Sequence, residues 1–165
     1  MNVHIRPQRI TDAEAFFRIL SDPGFSYFPA KPRSIEEEKD FLRQNSRKRK
    51  EQSEYNFTIL YEDAVAGGIG FRRNPGFPYV AEAGYFVQKN LWGKGIATAA
   101  LLQLERHAFN KCGIVRLELT MAVPNEGSRR VAEKAGYCGE GTLRKRLRIG
   151  EQYYDCYMYA KIKPQ

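Results

Sequence analysis

Cysteine is scarce: Cys112, Cys138 and Cys156 are the only three in 165 residues, odd in number, far apart and without a C-x-x-C spacing. That excludes a disulfide framework and a cysteine-based zinc site, and it leads to the expectation of a cytoplasmic protein with reduced thiols. No run of about 18 apolar residues occurs, so no helical membrane span is expected. The opening MNVHIRPQRI holds no apolar stretch of signal-peptide length. His4 and His107 are the only histidines, and His107 falls within a helical pattern lacking a second ligand at i+4. Neither points to a metal or to catalysis. Ser-His-Asp and Cys-His patterns are missing, as are repeats, low-complexity tracts and linkers, so residues 1–165 read as a single domain.

What the chain does have is a core and an excess of positive charge. Hydrophobic residues make up 42% and aromatics 13%, which excludes a disordered chain. Twenty-seven Lys and Arg against 19 Asp and Glu leave a formal charge of +8, favouring an anionic partner: nucleic acid, ribosome or a phosphorylated cofactor. Two basic clusters stand out, Arg47 to Lys50 and Arg144 to Arg146 with Arg148. The first also reads as a solvated helix end whose cations complement the helix dipole.

Val3 to Ile10 reads as an opening strand. Thr11 and Glu14 form a T-x-x-E capping box before an apolar helical stripe of Ala15, Phe16, Ile19 and Leu20. A second box, Ser34 and Glu37, starts a charged helix to about Lys50. Strands follow at Tyr55–Tyr61, Val65–Phe71 and Tyr79–Val87. A helix after Trp92 ends near Gly113, then come a strand from Arg116 to Met121, a helix from Glu126 to Ala135, and a hairpin of Tyr137–Arg148 with Gln152–Ile162. The order βααβββαβαββ predicts an α/β (α+β) fold around one mixed sheet.

The segment LWGKGIATAA places two glycines and a lysine at the start of a helix that follows a strand. Glycine weakens a helix there, so a ligand or a special turn must account for it. Free N–H groups, the helix dipole and Lys94 make an anion site, and the glycines admit a phosphate close to the backbone. A P-loop would need GxxxxGK followed by Ser or Thr, and a Rossmann turn would need a glycine where Thr98 stands. Both are rejected, and an empty structural turn is the remaining alternative on this segment alone.

Taken together, the element order, GYFVQKNLWGKGIAT and VPNEGSRRVAEKAGY resemble the GNAT acetyltransferases, and more narrowly the RimJ/RimL type that acetylates ribosomal-protein N termini. The resemblance spans the chain and is strongest from Glu82 to Tyr159. It implies a central, mostly antiparallel twisted sheet flanked by helices, and acetyl-CoA as donor with no metal. The pyrophosphate grip falls on Trp92, Gly93, Lys94, Gly95, Ile96 and Ala97, with Thr98 following. Trp92 replaces the usual Gln or Arg, as is common in the RimJ/RimL branch. Tyr85, Phe86 and Val87 would pair with the pantetheine amides, and a backbone N–H near Val87 would be the oxyanion donor. Asn125 matches a cofactor-binding asparagine, and its alternative is a turn residue after Pro124.

Transfer from a thioester to an amine needs no covalent nucleophile. An α-amine of pKa about 7.7–8.0 is roughly 10–15% neutral at pH 7, whereas a lysine near 10.4 is neutral about once in 2,500. Glu118, ranked slightly first, and Glu82 are the candidate bases by resemblance, and each also reads as a solvent-facing strand residue. Ser128 fits the leaving-group acid and the cofactor site of RimL-like enzymes, or is an ordinary first-turn helix serine. Asp155 is a further candidate contact to a substrate amine. The expected acceptor is a protein N-terminal α-amine, with a small amine (amino acid, polyamine or aminoglycoside) as alternative. A ribosomal protein or the ribosome is the expected partner, with no membrane, direct nucleic-acid binding disfavoured, and a monomer or homodimer. A different class stays open: a catalytically silent basic RNA- or ribosome-binding module, supported by the two basic clusters.

Overall fold

The computed structural model describes Met1–Gln165. Strand β1 (Val3–Pro7) precedes helices α1 (Ala13–Leu20), α2 (Ile35–Arg43) and α3 (Asn45–Lys50). Strands β2 (Glu54–Tyr61), β3 (Ala64–Arg73) and β4 (Val80–Val87) follow, then α4 (Ile96–Lys111), β5 (Arg116–Ala122), α5 (Glu126–Lys134), β6 (Cys138–Ile149) and β7 (Gln152–Ile162). All strands join one seven-stranded sheet of order β1-β2-β3-β4-β5-β7-β6. Every neighbouring pair is antiparallel except β4 and β5, which are joined through α4 and run parallel. This is the mixed, mostly antiparallel sheet expected of the sequence.

Alternation along each strand sends residues to opposite faces. On one face Ala81, Ala83 and Val87 of β4 and Leu117, Leu119 and Met121 of β5 meet Ile96, Ala100, Leu101, Leu104 and Ala108 of α4, forming the main core. Each leucine so buried contributes about 2–3 kcal/mol. On the other face Phe86 of β4 packs edge-on against Phe16 of α1 at 5.2 Å and Phe28 of the α1–α2 loop at 5.5 Å. Gly113 and Gly136, both in the left-handed region (φ 67° and 81°), end α4 and α5 as their sequence positions predict. No helix is long and apolar enough to cross a membrane.

Two local expectations are corrected. Thr11 lies inside a 3₁₀ turn, Ile10–Asp12, and caps nothing. The capping group is Asp12, whose carboxylate takes the Arg9 N–H at 2.8 Å, Thr58 Oγ1 at 2.6 Å and both Arg6 nitrogens at 2.7 and 2.8 Å. The charged helix predicted from Ser34 to Lys50 breaks at Gln44. Asn45 there bonds Gln8 at 2.9 Å and Asn56 at 3.0 Å, turning α3 onto β2. At Ser34 the cap forms: its Oγ accepts the Glu37 N–H at 3.0 Å, while the Glu37 carboxylate takes the Arg33 N–H rather than that of Ser34.

Candidate active site

β4 and β5 stay paired only at Val80↔Arg116, Ala81↔Leu117 and Glu82↔Glu118. Beyond that point β4 continues with β3 as far as Val87↔Gly67, and β5 with β7 as far as Ala122↔Cys156. The sheet therefore opens a gap with Glu82 and Glu118 at its vertex. Along its free edge lie Tyr85, Phe86 and Val87. The Gln88 N–H bonds Ala66 O on β3 at 2.8 Å, so alternation points the Val87 N–H and C=O away from β3, toward the gap. Such an edge can receive an extended ligand carrying amide groups.

At the mouth of the gap, the turn into α4 holds Gly93 and Gly95 at φ 76° and 78°. Both conformations favour glycine. A Cβ on Gly93 would meet nothing within 4 Å, and one on Gly95 only the Met1 methyl at 3.9 Å. Packing does not demand these glycines, so they leave open space over the turn. The first amide of the turn to find a backbone acceptor is Ala99, bonded to Gly95 O at 3.0 Å. From Gly93 through Ile96, Ala97 and Thr98 the N–H groups are free, Gly95 supplies no side-chain cap, and Lys94 is in no ion pair. Free amides, a helix N terminus and a lysine fit a diphosphate. Trp92 anchors this cradle: its Nε1–H donates to Val87 O at 2.6 Å, and Phe25 packs edge-on against the indole at 5.6 Å.

On the α4 side of the gap, Asn125 caps α5 by accepting the Ser128 N–H on its Oδ1 at 3.3 Å. Its side-chain NH₂ remains without a partner. The cap sets Ser128 beside Tyr85, whose hydroxyl donates to Ser128 Oγ at 3.2 Å. Burial holds the Tyr85 phenol above its usual pKa, against a smaller opposing effect of the serine bond, so it stays protonated at neutral pH. Sequence reasoning assigned Tyr85 only a backbone role. Its hydroxyl contact with Ser128 joins residues 43 apart in the chain and has no local signal.

On the opposite face, the two vertex glutamates stand opposite each other on adjacent strands, whose backbones are about 5 Å apart. Glu118 Oε1 accepts from Arg116 Nε at 2.7 Å, and Arg116 also grips Glu140 at 2.6 and 3.1 Å. The Arg116 guanidinium is held firmly charged by its bonds to Glu140 and Glu118. Glu118 Oε2 is uncommitted. Glu82 Oε1 takes the Thr120 hydroxyl at 2.7 Å and Oε2 lies 3.4 Å from Arg146. The structure thus brings both glutamates to one place, pairs Glu118 with the neighbouring Arg116, as one sequence reading allowed, and adds Thr120, which sequence reasoning passed over. Asp155 is turned to another task, accepting the Lys145 N–H at 2.8 Å. That bond pins the irregular β6 backbone, where Lys145 has φ 49°.

Beside this face, Phe25, Phe28, Pro29 and Lys31 of the α1–α2 loop meet Arg148 and Ile149 around an open cavity of about 310 Å³. Its wall residue Phe28 packs on Phe86 of β4, and its rim residue Arg148 lies two positions along β6 from Arg146, which reaches Glu82. The arrangement is two-sided. The α4 turn offers free amides and Lys94, hydroxyls line one face of the gap, and carboxylates with a basic, aromatic-walled cavity line the other.

The family model for the acetyltransferase (GNAT) domain matches residues 2–137. YdaF of Bacillus subtilis (strain 168), which carries the name ribosomal N-acetyltransferase, is 34% identical over 64% of this chain and 57% of its own length. YjcK of the same organism, named as an N-acetyltransferase, is 30% identical over 98% of this chain and 94% of its own length. Among solved structures, Mycobacterium smegmatis RimJ in complex with CoA-disulfide superposes with a TM-score of 0.88 at 26% identity, covering 97% of this chain and 81% of that one.

Proposed function

The chain belongs to the GNAT acetyltransferases, a family that takes its acetyl group from acetyl-CoA, and on that premise we propose that its acceptor is a protein N-terminal α-amine, in the manner of RimJ and RimL. The observation that carries the reading is the two-sided gap. Acetyl-CoA would lay its pyrophosphate on Gly93 to Thr98 beside Lys94 and Trp92, and its pantetheine along Tyr85, Phe86 and Val87. The Asn125 NH₂ would add a donor. The thioester then falls between the Val87 N–H, as oxyanion donor, and Ser128.

The acceptor would come from the other face. Glu82 and Glu118 attract its ammonium form, and the free Oε2 of Glu118 takes the proton, directly or through water. The neutral amine attacks the thioester carbonyl, and Ser128 protonates the departing thiolate. An α-amine suits this site because part of it is already neutral at pH 7, so a carboxylate partnered by Arg116 is base enough. The cavity beyond the vertex favours acceptors with an apolar and an acidic side chain close behind the amine, for Phe25 and Phe28 line it together with Lys31 and Arg148. The same cations, with the overall +8 charge, disfavour polyamines and aminoglycosides. They suit a ribosomal protein on the ribosome, which would place the reaction in the cytoplasm.

The test is thiol release from acetyl-CoA with a panel of N-terminal peptides and small amines. Turnover with peptides that collapses in both Gly95→Trp and Glu118→Gln supports the reading. Turnover only with small amines would overturn the proposed acceptor, and turnover that survives Gly95→Trp would overturn the proposed cofactor site.

A further inference from the structure

The 16 residues of α4 carry the chain about 24 Å from the cofactor turn, and a second cationic surface gathers at that far end. The Arg49 guanidinium lies over the Phe57 ring at 5.4 Å, and His107 packs against the same ring at 5.1 Å. Arg49 and Lys111 both reach His107, whose imidazole is kept neutral first by burial and then by these cations. Arg73 comes from β3 to the same place and donates to Cys112 O at 2.8 Å. One turn back along α4, Arg106 shares an open cleft of about 240 Å³ with Asn110 and Lys163.

The carboxylates in this region are already neutralised: Glu105 by Lys161 at 2.7 Å, Glu54 by Lys48 and Arg72 at 3.2 Å, and Glu51 by Arg47 at 3.9 Å. Arg49, Arg73, Arg106, Lys111 and Lys163 have no acidic partner. Complementing the α4 dipole accounts for Lys111 and Arg73, which sit at its C terminus, but not for Arg106, Lys163 or Arg49. A second observation lies at the rim. Phe77 and Tyr79 are 57% and 51% exposed with ring centroids 6.3 Å apart. Arg73 also donates to the carbonyl of Pro78, between them, and Lys163 is joined to Tyr79 through Val115 by backbone bonds of 2.7 and 2.8 Å.

We propose that this face binds unpaired RNA, with phosphates on Arg49, Arg106, Lys111 and Lys163 and bases stacked on Phe77 and Tyr79. Cations drawn from three separate parts of the chain match a repeating polyanion, and exposed aromatics beside them suit splayed bases. The other basic cluster is occupied differently. Arg146 sits on Glu82, and Lys145 and Arg148 lie over the Tyr153 ring at 5.8 and 5.6 Å, at the mouth of the acceptor cavity. The RNA face is thus separate from the acetyl-transfer site and does not depend on the acceptor proposed for it.

The experiment is fluorescence anisotropy with a labelled single-stranded RNA of mixed sequence, titrated across a salt series. Arg106→Glu with Lys111→Glu is expected to weaken binding at least tenfold and to lower the log–log salt slope by about two. Phe77→Ala with Tyr79→Ala should weaken binding about tenfold with the slope unchanged. Arg144→Glu with Arg148→Glu should stay within about twofold of the parent, since those cations lie elsewhere. Thermal melting and acetyl-CoA affinity of the Arg106/Lys111 variant, both unchanged, show that loss of RNA is not loss of fold. Absence of saturable RNA binding would overturn the proposal. So would an equal loss in the Arg144/Arg148 variant, or equal affinity for a polyglutamate of matched length.

Discussion

The Tyr85 hydroxyl donates to Ser128 Oγ at 3.2 Å across the free edge of β4. Because the phenol is the donor in this bond, the serine's own O–H is left to be given elsewhere. If Ser128 protonates the leaving thiolate, Tyr85 orients it and can refill it. Ser128→Ala should lower kcat about 100-fold, within the range for a general acid. Tyr85→Phe should lower kcat about tenfold, the worth of one hydrogen bond. The double variant should be no worse than Ser128→Ala, because the two act as a unit. Full activity in Tyr85→Phe alongside a damaged Ser128→Ala would remove Tyr85 from the mechanism.

The cofactor cradle gives a second expectation. Gly95 adopts φ 78°, ψ 7° with open space above it. Alanine there meets no clash but costs about 1–2 kcal/mol of left-handed backbone strain, and its methyl stands where a phosphate would approach. Gly95→Ala should weaken acetyl-CoA binding at least tenfold by calorimetry while the melting temperature falls about 2–8 °C. A large loss of stability with unchanged affinity would make the turn structural.

Much of this site was legible because its signals are local. WGKG before an apolar helical stripe marks a strand-to-helix turn with free amides, and Asn125 three residues before Ser128 carries the spacing of an N-cap. Glu82 and Glu118 were singled out by the family resemblance, and the pairing of β4 with β5 sets them opposite each other. Legibility failed where the partner is distant. Tyr85 with Ser128, Arg116 with Glu140, and Asp12 with Thr58 are brought together only by the sheet order and the β4–β5 gap. Thr11 and Glu14 matched a capping pattern, yet Asp12 won the position because a half-buried arginine and a buried threonine, reached through β1 and β2, converge on its carboxylate.

The two vertex carboxylates should separate by pH. Without Glu118 as base the amine must lose its proton to water, so Glu118→Gln should lose about 30-fold in kcat/KM near pH 6.5 and only a few-fold at pH 9, above an α-amine pKa of about 8. Glu82→Gln should instead raise KM for the acceptor with a smaller change in kcat. Equal, pH-independent losses in both variants would assign the glutamates to structure.

Stability carries two pH signatures of opposite sign. Burial pushes the Asp12 carboxyl up, but hydrogen bonds from Arg6, Thr58 and the Arg9 N–H outweigh it and hold the pKa below 3.8. Its contribution is therefore present above pH 3.8 and is lost as pH falls through the lower folded value. Asp12→Ala, which strands Arg6 and Thr58, should cost about 3 kcal/mol at pH 7, or roughly 6–12 °C. That deficit should shrink as acid protonates the parent. Glu38 on α2 is buried with no hydrogen-bond partner, and burial, then Glu37, raises its pKa above 4.5. Its effect runs the other way: stability is fully present below pH 4.5 and is eroded as the carboxyl ionises. Glu38→Gln should therefore melt higher than the parent at pH 7 by about 2–4 °C, the equivalent of roughly 1 kcal/mol, and level with it at pH 4. A Glu38→Gln protein that is less stable at pH 7 would mean that the carboxylate has a partner in solution.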